Sequence, residues 1–299
     1  MEMHWPLMFF TLFLCLGGGI FGLQGVLVLL GKGARVQLAL LITSVVCIAL
    51  GGAASFLHLQ HWERVFNGFG HLTSGITQEM IAIVVFVGAA VVYFAMLRKA
   101  GTDGLPKWCG IMALLACLLL VFTMAHSYNM AARPLWNTFL HWLFYEVNAL
   151  FLGSFGLFLI AAIKADDEVL SFVKKLALAG LIAQLLITAV YLLYAYLITG
   201  SYSSFGYMFD PVHPTQALQD PAAALASIFS GSEALLFWLG VVVIGLAVPA
   251  AAVLVARKNR WESNGLAVLA GGGLAGALAG GICFRAILYI LGFSVFMYF

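Results

Sequence analysis

His58, His61, Glu63, Arg64, His71 and Glu79 crowd into one short segment, SFLHLQHWERVFNGFGHLTSGITQEM (55–80), of a 299-residue chain in which 9% of residues are charged. A histidine at neutral pH can hold an oxygen and take its proton, and a nearby carboxylate can hand that proton to water. These types suit proton-coupled chemistry at a boundary between an apolar phase and water. Trp62 and Phe66 supply apolar walls, and Arg64 supplies a charge to offset the carboxylates. What such a cluster does depends on the elements that hold it.

Those elements are membrane helices. The chain is 64% hydrophobic, with a mean hydropathy of +1.06. Long stretches free of Asp, Glu, Lys and Arg recur along it, and a spanning helix needs roughly 20 apolar residues. The pattern predicts an all-α integral membrane protein, a single polytopic domain over 1–299. Eight transmembrane helices are expected near 5–30, 36–57, 77–97, 108–128, 138–163, 174–199, 233–256 and 265–291. Alternating polar and apolar strands are absent, which excludes an outer-membrane barrel. Eleven Lys and Arg residues fall in the odd-numbered loops and two, Arg64 and Arg133, in the even-numbered ones. Basic loops stay in the cytoplasm, so both termini are expected on the outer, periplasmic side of a bacterial inner membrane. The first apolar run has no basic residue before it, which predicts a retained helix rather than a cleaved signal. The net charge of +2 reflects this loop bias and gives no reason to invoke nucleic acid.

All seven histidines then belong to the outer half. Glu79 is expected in the first turn of the third helix, where a helix dipole alone could hold it. His141 opens the fifth helix, with Glu146 five residues deeper. Arg285 lies about twenty residues into the last helix. Charges at such depth are costly and default to functional hypotheses. For Glu146 with His141, the readings are a proton path or a structural pair. For Arg285 with Glu146, the plain alternative is an ion pair locking two helices. Residues 200–232 read as an irregular outer loop, carrying His213, with one short helix at the alanines.

Three functions fit this face. The first is oxidation of a quinol, an apolar ring with two hydroxyls that gives up two electrons and two protons, with His58 and Glu79 as the reactive pair. The second is a small-molecule transporter, whose midplane site would need polar residues or broken helices. The third is a single haem b held by His126 with His58 or His141. The five cysteines form no CxxC and read as small apolar residues, so any iron–sulfur cluster belongs to another subunit, and no metal site is expected. Gly272, Gly276 and Gly280, four apart, predict close helix packing.

The ordered set HWPLMFFTLF (4–13), SFLHLQHWERVFN (55–67), the following QEM, YN (128–129) and GGICFRAILY (280–289) resembles the membrane anchor subunit of bacterial dimethyl sulfoxide reductases. That resemblance implies a menaquinol-oxidising anchor, not catalytic alone and carrying no haem or cluster. It would pass electrons to a ferredoxin-like iron–sulfur subunit and a molybdopterin catalytic subunit. It implies a quinol site at His58 and Glu79, with Arg64, Asn67 and Arg285 matching further positions of the pattern. Where the family has a small turn after LHL, this chain has Gln60, His61 and Trp62.

Overall fold

The computed structural model describes residues 4–57, 67, 69–100, 104–200, 220–258 and 262–294. Eight of its helices are long and apolar enough to cross a membrane. In chain order they are α1 (Trp5–Leu29), α2 (Gln37–Phe56), α3 (Gly75–Ala100), α4 (Lys107–Ser127), α5 (Phe139–Ile163), α6 (Asp167–Ile198), α8 (Leu236–Lys258) and α9 (Ser263–Leu291). A shorter helix, α7 (Pro221–Ser230), stands at the alanines as expected. Asp220 starts it by accepting from the backbone N–H groups of Ala222 and Ala223, at 2.9 and 3.1 Å. Among the described residues there is no strand. Lipid leaves no water to satisfy a backbone, so helices that close their own hydrogen bonds are the economical solution.

The spans match the charge-free runs with one large shift. α6 begins at Asp167, seven residues before the expected 174. Asp166 caps it by accepting from Val169 N at 3.2 Å, and Lys174 and Lys175 ride on a helix that continues past the apolar stretch. The charges at the helix termini distinguish the two ends of the bundle. One end is basic, with Arg98, Lys99, Lys107 and Lys164 at the helix termini. The other is poor in charge, and holds the start of α1 and the α4–α5 linker.

α1 is the hub. Its apolar window is 83% buried, against 28% for α3 and 33% for α2, and it packs on α2, α4, α5 and α9. The glycines explain how one helix accommodates so many neighbours. A methyl group on Gly19 would overlap the Ala149 carbonyl of α5, and one on Gly153 would overlap the backbone of Gly19. The two helices therefore meet backbone to backbone, where dispersion supplies the association energy. Ser44 Oγ donates to Gly17 O at 2.7 Å and ties α2 to the same helix. Near the basic end, Gln24 Nε2 donates to Gln37 O at 2.8 Å and Tyr93 Oη donates to Gln37 Oε1 at 2.7 Å, which links α1, α2 and α3.

α8 is wound in two ways: Leu236–Ala247 is π-helical and Val248–Lys258 is α-helical. Bonding from i to i+5 brings residues five apart onto one face. Gly240 and Gly245 accordingly both meet α9, at Cys283 and at Gly280. The expected glycine stripe of α9 is partly used. Gly276 and Gly280 sit against α8, whereas Gly272 has open space around it.

Candidate functional site

The charge-poor end holds a compact chamber of aromatic and polar side chains. It starts from the α4–α5 linker. Arg133 donates from Nη1 to Gly292 O at 2.7 Å, and its guanidinium lies 4.6 Å from the Trp136 ring. Trp136 Nε1 donates to Leu288 O at 3.1 Å. These bonds fasten the linker across the end of α9 and close the chamber from above. Trp136 is 5.2 Å from Tyr289 in an edge contact and stacks on His141 at 6.1 Å.

His141 is buried at the head of α5, and its Nδ1 is 2.7 Å from Tyr191 Oη on α6. Tyr191 gives its single hydrogen to Leu135 O at 3.1 Å, so the network assigns the imidazole hydrogen to Nδ1. Nε2 is then a bare acceptor, buried and without a partner among the described residues. The ring also meets Tyr145 edge-on at 5.0 Å.

Below it, Arg285 is 1% exposed. Nε donates to Thr11 Oγ1 at 2.8 Å, Nη1 to Gly281 O at 3.1 Å, and Nη2 to Asn148 Oδ1 at 3.1 Å and Thr11 O at 3.3 Å. The guanidinium also faces the Tyr145 ring at 5.3 Å. The ion pair with Glu146, the plain alternative for these two charges, is not formed. Fixed dipoles from α1, α5 and α9 satisfy the cation, and Glu146 lies on another face of α5. The polar chain continues from Asn148 Nδ2 to Gln184 Oε1 and from Gln184 Nε2 to Thr188 Oγ1, both at 3.1 Å. Beside these three residues lies a cavity of about 20 Å³, room for a single water. That is too small for a transported solute.

Glu79 is placed differently from expectation. α3 starts at Gly75, so Glu79 is past the first turn, and it is buried at 7% exposure rather than presented to water as a helix-dipole carboxylate. Its carboxyl faces Ser127 at the end of α4. A methyl on Gly75 would stand 2.8 Å from Ser127 Cα, so glycine lets α3 start this close. Oε1 has no hydrogen-bond partner among the described residues. Tyr128 and Tyr145 lie within electrostatic range of it, and Tyr145 is within range of Arg285 as well.

His58, His61, Trp62, Arg64, Phe66 and His213 lie outside the described residues. Asn67 is described, exposed, in a 3₁₀ turn between α2 and α3. His141 and Glu146 do not form a structural pair, because five residues on a helix separate their directions by more than a third of a turn. His126 packs on Phe122 and Trp142, and His141 on Trp136, Tyr145 and Tyr191. The two rings thus face different neighbours, which does not suit them as two ligands of one haem. Among the described residues no three His, Cys, Asp or Glu gather as metal ligands. The sequence reading passed over Thr11, Tyr145, Asn148, Gln184 and Tyr191. The available signal was Arg285 itself, since a buried guanidinium demands several acceptors.

No curated protein matches this chain. The family model described as DMSO reductase anchor subunit (DmsC) matches residues 1–210. That range takes in α1 to α6 with the 55–80 segment and Glu79, and leaves Arg285 beyond it. With 210 of 299 residues matched, the chain belongs to the DMSO reductase anchor subunit family, as a multi-pass membrane protein.

Proposed function

We propose that this anchor oxidises menaquinol, as a single membrane domain with its charge-poor end and both termini on the periplasmic side of a bacterial inner membrane. The observation that carries the reading is Glu79, a buried carboxyl at that end with one oxygen lacking a partner among the described residues. A carboxylate is kept in such a place when it handles protons or a polar ligand. His58, 17 residues before Gly75 in the sequence, is the second contact. It would hold one quinol oxygen and accept its proton, and Glu79 would pass the released proton towards the periplasm. Arg64 and Asn67 would line the mouth of the site, and Arg285 would act from behind through Tyr145. The bare Nε2 of His141 is a further proton acceptor in the same chamber.

The balance is simple. One quinol becomes one quinone, two protons leave to water, and two electrons pass to a ferredoxin-like iron–sulfur subunit. From there they reach a molybdopterin subunit that reduces the terminal acceptor. The anchor supplies binding and proton transfer and is not catalytic without these partners.

The test uses the intact complex. His58→Ala and Glu79→Gln should each cut menaquinol-dependent acceptor reduction by about 10²–10⁴, the usual worth of a positioned acid or base. Reduction driven by a soluble dye that feeds the iron–sulfur subunit should be unchanged. Normal quinol turnover in both assembled variants would reject the assignment.

A further inference from the structure

The chamber does not use Glu146. This carboxyl points instead into a groove of about 290 Å³ between α1, α4 and α5, lined by Gly19, Gly22, Leu114, Cys117, Leu118 and Leu150. Every other side chain of the groove is apolar, a cysteine or absent. Among the described residues no ion pair or hydrogen bond engages Glu146; Lys32–Glu168 is the ion pair found there. Leu118, on its rim, is 44% exposed on a spanning helix, so the groove opens to the lipid phase. Gly22 keeps the floor low, because a methyl there would stand 2.9 Å from Cys117 Sγ.

Two facing stripes extend the groove towards the charge-poor end. Leu114, Leu118, Phe122 and His126 recur every four residues on α4, and Phe139, Trp142, Glu146 and Leu150 recur at three and four on α5. Such residues share a helix face. Phe122 meets Trp142 edge-on at 4.9 Å and stacks on His126 at 6.3 Å. Buried within this aromatic step, Trp142 Nε1 and His126 Nδ1 have no hydrogen-bond partner among the described residues. The seam therefore offers three unmatched polar groups on an otherwise apolar path. A larger groove of about 400 Å³ between α3 and α4, lined by Val85, Trp108, Leu115 and Leu119, has no titratable side chain and suits lipid chains alone.

The occupant follows from depth and chemistry. Glu146 is seven residues into α5, about 10 Å along it at roughly 1.5 Å per residue, within a hydrocarbon layer about 30 Å thick. Ions and phospholipid headgroups do not reside there. A molecule that does, and that could use one carboxyl between apolar walls, is a flat ring bearing oxygen. Ligand pockets begin near 300 Å³, so the groove holds a ring and leaves any long tail in the bilayer. We propose that the α4–α5 seam is a second quinone site, with the ring against Gly19 and Gly22 and a ring oxygen bonded to Glu146. Trp142 and His126 mark its way to the chamber. This rests on the reading that the chain handles quinol, and it adds a place where the ring waits or leaves.

The experiment is photolabelling of the intact complex in membranes with an azido-naphthoquinone carrying an isoprenoid tail, followed by peptide mapping. Label is expected on residues 114–126 and 142–150 in addition to the 55–80 segment, and excess menaquinone should displace it from both. Glu146→Leu should weaken labelling of the seam about tenfold, equal to the ~1.4 kcal/mol of one hydrogen bond. Leu118→Trp should abolish it by filling the groove from an exposed position that the fold does not need. Both variants should keep the label at 55–80. Menaquinone-displaceable label at 55–80 alone would overturn the second site and leave the proposed function standing. Seam label that persists in both variants, or that excess phospholipid removes and menaquinone does not, would also overturn it. Absence of displaceable label anywhere would reject both readings.

Discussion

Arg285→Lys tests whether the chamber is held by the shape of a guanidinium rather than by its charge. The wild-type side chain reaches acceptors on three helices: Thr11 on α1 at 2.8 Å, Asn148 on α5 at 3.1 Å and Gly281 of its own helix at 3.1 Å. A lysine ammonium is a single nitrogen and cannot span that fork. Two of the bonds to a charged donor should be lost, each worth about 1.5–3 kcal/mol. Asn148 keeps its bond to Gln184 and the site relaxes, so the expected net loss is about 3 kcal/mol. The readout is the equilibrium unfolding midpoint of the purified anchor in mixed micelles. A paired experiment with Asn148→Ala should be non-additive, since the two residues share a bond. Stability of Arg285→Lys within about 0.5 kcal/mol of wild type, or full additivity with Asn148→Ala, would refute the argument.

Other expectations follow from the same structure. An alkaline phosphatase fused after Phe299 should be active and one fused after Lys258 inactive; the reverse would place the charge-poor end in the cytoplasm. Gly153→Leu should abolish assembly by forcing α1 from α5, at a cost above the usual 1–3 kcal/mol of overpacking, whereas Gly272→Leu should be tolerated because its methyl position is open. Detergent-purified protein should show no Soret band, and a stoichiometric b-type spectrum lost on His126→Ala would reinstate the haem reading.

The spans were legible because lipid imposes a length and a composition that leave few alternatives, and seven of them fall close to the expected bounds. α6 was misjudged because Lys174 and Lys175 read as loop, while the signal for its true start was a lone Asp166 cap. Glu79 was set a turn too early for a similar reason, since Gly75 begins a helix here by fitting against Ser127. The depth of Arg285, Glu146 and His141 could be counted along their helices, but their partners could not. Thr11 and Arg285 are 274 positions apart, and Asn148 and Arg285 are 137 apart. Hydropathy shows which residues are in the membrane and is silent on which helices touch. The π-wound half of α8 left no such trace, because it is set by how two glycines meet α9.

The burial of α1 also bears on how the chain is made. This helix leaves the ribosome before α4, α5 and α9, so the surfaces that cover it come late. The α4 backbone that meets Gly25 is at Gly110, the α5 backbone that meets Gly19 is at Ala149, and the bond to Thr11 comes from Arg285. Until then a glycine-rich span carrying Gln24 must wait in lipid beside translocation machinery or α2 alone, and a stall before α5 leaves its central face bare. Early truncations should therefore be cleared by membrane proteases as orphans, while the finished chain locks from its centre outwards when its last helix arrives.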